Sequence, residues 1–123
     1  TMDISGGFGS EKIAVSRLRD GVYGAFEALG PPINGGVRVM YPYVAPDEST
    51  LVVSSPSDAQ RSNSTLLVSH RKPDGAWSDL RAVDLGIPAG TPLVSPDGRF
   101  LFFTGGERGK GDLYWVSADV LRR

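Results

Sequence analysis

Ser95-Pro96-Asp97-Gly98-Arg99-Phe100-Leu101-Phe102-Phe103-Thr104 is a tight turn followed by a wholly apolar strand. Proline presets φ at the first corner, aspartate bonds backbone two residues on, and glycine takes the left-handed position that closes the turn. Fifty positions earlier stands a worn copy, Ala45-Pro46-Asp47-Glu48-Ser49-Thr50-Leu51-Val52-Val53-Ser54, with Glu48 in place of the glycine. Pro46, Asp47, Pro96, Asp97 and Gly98 are therefore read as structural turn residues. Neither Leu51-Val52-Val53 nor Phe100-Leu101-Phe102-Phe103 alternates apolar with polar, so both strands are expected to be buried on two faces.

Working outward, the same rhythm covers the chain. Val15-Ser16, Val68-Ser69 and Val116-Ser117 mark equivalent strands, and Asp20-Gly21-Val22-Tyr23 is echoed by Asp74-Gly75-Ala76-Trp77. The spacing is about fifty residues with four short strands per period, which predicts β-propeller blades, each a four-stranded antiparallel meander. No segment keeps a 3.6-residue apolar period, so the fold class is all-β. Residues 1–30 read as the outer strands of one blade, 37–86 as a complete blade and 91–117 as the inner three strands of the next. That is about two and a quarter blades, part of a six-bladed ring that would need roughly 300 residues at this period. Met40-Tyr41-Pro42-Tyr43-Val44 carries a proline and is expected at an edge or beside an open channel. The last strand, Leu113-Tyr114-Trp115-Val116, is expected to be an exposed apolar edge. Self-association, or the remainder of the propeller, would cover it.

Composition narrows the function. The 123 residues suffice for one domain with a core, and the 16 glycines and 9 prolines fall at turn-like intervals. A net charge of −1 gives no nucleic-acid footprint. No cysteine is present, which excludes disulfides and cysteine-based zinc sites. No run approaches the roughly 18 apolar residues of a membrane span. No signal peptide is visible, and Thr1-Met2-Asp3 does not read as a natural start, which leaves room for an export signal upstream.

Ser95-Pro96-Asp97-Gly98-Arg99-Phe100-Leu101-Phe102-Phe103, followed by Gly111-Asp112-Leu113-Tyr114-Trp115-Val116, resembles the WD40-like PD40 repeat of TolB-like β-propellers. The first copy departs at Glu48, and Glu11-Lys12-Ile13-Ala14 is a poor match to the Asp-Leu-Tyr strand. The resemblance implies an exported bacterial protein, periplasmic or extracellular. It also implies a non-catalytic module that binds a protein or small ligand at one face of the ring. The alternative reading is the scaffold or gating propeller of a larger hydrolase, a peptidase or a glycan-processing enzyme.

Candidate chemistry is sparse. His70 is the single histidine, and a general base or metal ligand usually needs partners, so a structural role is expected. The turn aspartates are assigned to backbone bonding. Gly105-Gly106-Glu107-Arg108-Gly109-Lys110-Gly111 lacks the order of a phosphate loop and joins two strands. Neither a cofactor nor a metal site is expected. The contact surface is placed on Tyr41 and Tyr43 of the proline-bearing inner strand. Arg38, Arg61, Glu107 and Arg108, on loops expected to share one rim, complete it. The remaining aromatic residues are assigned to packing between blades.

Overall fold

A computed structural model describes residues 2–3, 11–34, 38–56, 64–106 and 111–122. In chain order the strands are β1 (Met2–Asp3), β2 (Glu11–Lys12), β3 (Ala14–Val15), β4 (Leu18–Arg19), β5 (Val22–Tyr23) and β6 (Glu27–Ala28). There follow β7 (Met40–Val44), β8 (Thr50–Pro56), β9 (Ser64–His70), β10 (Arg81–Ala82), β11 (Ala89–Val94), β12 (Phe100–Gly105) and β13 (Asp112–Ser117). A 3-10 turn, Ala118–Leu121, ends the described chain. The protein is all-β, every pairing is antiparallel, and no sheet closes on itself among the described residues.

Two sheets dominate. One is a four-stranded meander in the order β10-β9-β8-β7, and the other a three-stranded meander in the order β11-β12-β13. Pro42 and Pro92 both lie on edge strands, where a missing N–H costs no ladder bond. The described residues up to Asn34 form short ladders: β1 with β2, β3 with β6, and β4 with β5, each two residues long. Asn34 fastens this layer. Its Nδ2 donates to the carbonyls of Ile13 and Leu29, and its Oδ1 accepts from the Ile13 N–H at 2.9 Å.

The layers stack through alternate residues. Leu51 and Val53 of β8 point to one face, where they pack with Ile13, Ile33 and Val39. Val52, Leu66, Val68 and Val83 point to the other face and meet Leu101 and Phe103 of β12. Leu51, Val52 and Val53 are all fully buried, as the unbroken apolar run predicts. At about 25 cal/mol per Å² of apolar surface, each such side chain stabilises the fold by roughly 1.5–3 kcal/mol. Strand β12 differs from the expectation of two buried faces. Leu101 and Phe103 are buried, but Phe100 and Phe102 are only half-buried, because no layer lies on their side among the described residues. The same lack of a covering layer leaves Tyr23, Phe26 and Trp115 exposed, although the sequence suggests packing for them.

The Pro-Asp turn occurs three times, not two. The N–H of Gly98 donates to the Ser95 carbonyl, that of Glu48 to Ala45, and that of Gly75 to Lys72, each at 2.8 Å. The three closing residues have φ of 75°, 60° and 88°. In each turn the aspartate Oδ1 accepts from the N–H two residues on: Arg99 at 3.0 Å, Ser49 at 3.0 Å and Ala76 at 2.9 Å. Asp74-Gly75 is thus a relative of Asp97-Gly98. Asp20 and Gly21, its apparent match in sequence, form a different turn: both have positive φ, as a two-residue hairpin requires.

Candidate functional site

Two clefts open between the large sheets, one at each end of β8. The larger, of about 340 Å³, lies at the end marked by Thr50 and is lined by the Pro46-Asp47 and Pro96-Asp97 turns, with Tyr43, His70, Leu121 and Arg122. Its polar groups are mostly committed to holding the fold. The Ser49 hydroxyl and then the Ser49 N–H hold the Asp47 carboxyl below its usual range. The Ser95 hydroxyl and then the Arg99 N–H do the same for Asp97. Burial, then the nearby charge of Asp47, pushes the Tyr43 phenol up. His70 lies within 2.8 Å of the Leu121 carbonyl through Nε2. A carbonyl only accepts, so Nε2 carries the proton in this bond, and Nδ1 is left to face the Thr50 hydroxyl at 3.4 Å. Arg81 donates to the same carbonyl at 3.0 Å, and Arg122 reaches the Gly98 carbonyl at 3.3 Å. His70, Arg81 and Arg122 therefore clamp the C-terminal 3-10 turn against both sheets.

The smaller cleft, of about 200 Å³, lies at the other end, lined by Met40, Tyr41, Ser54, Pro56, Ser64, Gly90, Thr91 and Thr104. Here the edge strands β7 and β11 approach each other. A Cβ on Gly90 would stand 3.0 Å from the Ser64 hydroxyl, so the approach is that of glycine. The N–H of Thr91 donates to the buried Ser54 hydroxyl at 2.8 Å, and the Ser64 hydroxyl donates to the Ala89 carbonyl at 2.7 Å.

Tyr41 and Thr91 share an unusual backbone. Their φ values are 51° and 52°, each precedes a proline, and each lies where its strand slips register against its neighbour. They also occupy equivalent places in the two repeats. A non-glycine residue in this region costs of order 1–3 kcal/mol, and such strain collects at sites that have a use for it. The Tyr41 side chain is 55% exposed over the cleft. The sequence offered a faint signal in Tyr-Pro and Thr-Pro at the same spacing, but nothing in it reveals a positive φ.

The contact residues expected from the sequence are separated. Tyr41 borders the small cleft, while Tyr43, two residues on and past the bulge, borders the large one and packs on the core. Arg38 is half-buried next to the fully buried Val39. Arg61, Glu107 and Arg108, with the rest of the glycine-rich stretch 107–110, lie outside the described residues. Among the described residues no three His, Cys, Asp or Glu side chains are grouped to hold a metal ion. No helix among them is long and apolar enough to cross a membrane.

No protein-family model matches the chain, and no curated protein matches it.

Proposed function

We propose that the chain is a non-catalytic binding module built from successive β-propeller blades, with its contact surface at the small cleft around Tyr41 and Thr91. The observation that carries this reading is the pair of strained residues, repeated at equivalent places and brought to one rim by adjacent edge strands. A blade assignment draws support from the four-stranded meander, the fifty-residue equivalence of the turns and the face-to-face stacking of the two sheets. On the resemblance of Ser95 to Phe103 to PD40 repeats, we propose an exported bacterial setting for such a module. The large cleft is the weaker candidate, because its aspartates, His70 and Arg122 are engaged in turns and clamps.

Saturation-transfer NMR with a library of small polar and aromatic fragments tests the reading. Fragments are expected to bind the native chain and to lose their signal with Tyr41→Ala. A screen without hits, or hits indifferent to Tyr41, overturns it.

A further inference from the structure

The small cleft has a consistent chemistry. One aromatic residue, Tyr41, lines it together with the hydroxyls of Ser54, Ser64, Thr91 and Thr104 and the buried apolar side chain of Met40. Among the described residues no charged side chain lines it. Its hydroxyls are only partly engaged. Ser64 and Thr104 each give their proton to a backbone carbonyl, of Ala89 at 2.7 Å and of Gly90 at 3.2 Å, so each oxygen retains lone-pair capacity to accept. Ser54 accepts from the Thr91 N–H at 2.8 Å, a bond that uses its oxygen and not its proton.

A neutral sugar ring has the matching pattern. Each of its hydroxyls both donates and accepts. One face of the ring carries C–H bonds, whose weakly positive hydrogens suit the negative face of an aromatic side chain. A charged ligand would lose hydration here without gaining an opposite charge from the described lining. Size points the same way. Pockets for drug-sized ligands span roughly 300–1,000 Å³. This cleft, of about 200 Å³, suits one ring better than an extended peptide. The site is also preformed. The Thr91–Ser54 bond and the close approach at Gly90 tie β11 to the neighbouring sheet, and the bulged backbone at Tyr41 fixes the base of its side chain. Binding therefore costs little ordering of the protein.

We propose that the small cleft binds a single neutral sugar ring, its C–H face on Tyr41 and its hydroxyls towards Ser64, Thr91 and Thr104. The proposal rests on the reading of this cleft as the contact surface and adds the chemical class of the ligand.

Saturation-transfer NMR with the methyl glycosides of glucose, galactose, mannose and N-acetylglucosamine tests it, with glucuronate and glucosamine as charged counterparts. At least one neutral glycoside is expected to bind, with the strongest transfer to the C–H protons of one ring face. The charged counterparts are expected to bind roughly tenfold more weakly. Tyr41→Phe keeps the ring and is expected to keep binding, whereas Tyr41→Ala is expected to weaken it roughly tenfold. Thr104→Val, at an exposed side chain, is expected to weaken it roughly twofold to tenfold. Circular dichroism melts verify folding, and if Tyr41→Ala does not fold, Thr104→Val and the map of transferred protons decide. Polar or aromatic fragments that bind through Tyr41 while no glycoside binds overturn the sugar assignment and leave the cleft as the contact surface. Failure of glycosides and fragments alike overturns both. Glycoside binding indifferent to Tyr41→Ala and Thr104→Val, or charged counterparts that bind as tightly as neutral ones, also overturns the proposal.

Discussion

At 45–50 and 95–100 the backbone makes one turn with two different residues at its left-handed corner, Glu48 and Gly98. The strands that follow differ in a second way. Val52 and Val53 are both fully buried, whereas of their counterparts only Phe103 is, and Phe102 is half-exposed. The first difference is local and lies in the chain's own φ preference. The second is tertiary, since the same apolar run is covered on two sides in one repeat and on one side in the other. Repetition of sequence thus carries over the turn faithfully and the environment only as far as a neighbour exists.

The largest expected effect breaks the tertiary half of the comparison. Phe103→Ala is expected to cost about 3–5 kcal/mol, as removal of a buried aromatic ring does. Phe102→Ala, on the half-covered face, is expected to cost no more than about 2 kcal/mol. Val52→Ala and Val53→Ala, in contrast, are expected to agree within about 1 kcal/mol, because both sites are dry. Urea unfolding at low protein concentration measures all four. Equal costs at 102 and 103 under those conditions would show that the outer face is covered within a single chain.

Much of this organisation is legible in the residues. Pro-Asp with glycine or glutamate after it fixes the turn, because the aspartate bond and the left-handed corner are both local. The prolines in Tyr41-Pro42 and Thr91-Pro92 point to edge strands for an equally local reason, the missing donor. What the residues do not disclose depends on distant neighbours. Phe100 to Phe103 reads as doubly buried, yet burial needs a second layer, and no local pattern announces whether one is present. The match of Asp74 to Asp20 misleads because Asp-Gly suits two turn types, and Pro73 is what decides between them. For the candidate site, Tyr41 is legible as an aromatic residue on a proline-bearing edge strand. Its separation from Tyr43 comes from a bulge, which shifts the register without changing the pattern.

The local half of the comparison is sharpened by exchanging the corner residues. Gly98→Val forces a β-branched side chain to φ near 75° and is expected to cost roughly 1–3 kcal/mol. Glu48→Gly relieves strain at φ 60° but also removes an exposed ion pair with Arg71 at 3.1 Å. Such a pair contributes about 0–1 kcal/mol, so the net change is expected to fall between neutral and about 1 kcal/mol of stabilisation. Thermal melts compare the two variants. A clear loss of stability for Glu48→Gly would show that the Arg71 contact outweighs the corner, and that the two turns are equal in shape but not in energy.

The smallest effect concerns pH, and it divides what the repeats share from what they do not. Both turns hold an aspartate whose carboxyl is kept below its usual range by a serine hydroxyl and a backbone N–H. A depressed value in the folded state means that the unfolded chain takes up protons first. The stabilisation is therefore present above the ordinary aspartate range, near pH 4, and drains away as pH falls through the folded values. Replacing Asp47 or Asp97 singly by asparagine keeps an acceptor and removes the titration, so each change is expected to flatten the acid limb of stability to a similar, small degree. The alkaline limb is different. Tyr43 has its phenol raised, first by burial and then by Asp47, while the equivalent position in the second repeat is Leu93. Here the unfolded chain loses its proton first, so stability declines as pH rises past the ordinary tyrosine value of 10.0. Tyr43→Phe is expected to flatten that decline, and Asp47→Asn to reduce it in part by removing the neighbouring charge. Asp97→Asn is expected to leave it unchanged. Urea midpoints measured from pH 2.5 to 11 read both limbs, and an effect of Asp97→Asn on the alkaline limb would mean that the two turns are coupled across the large cleft.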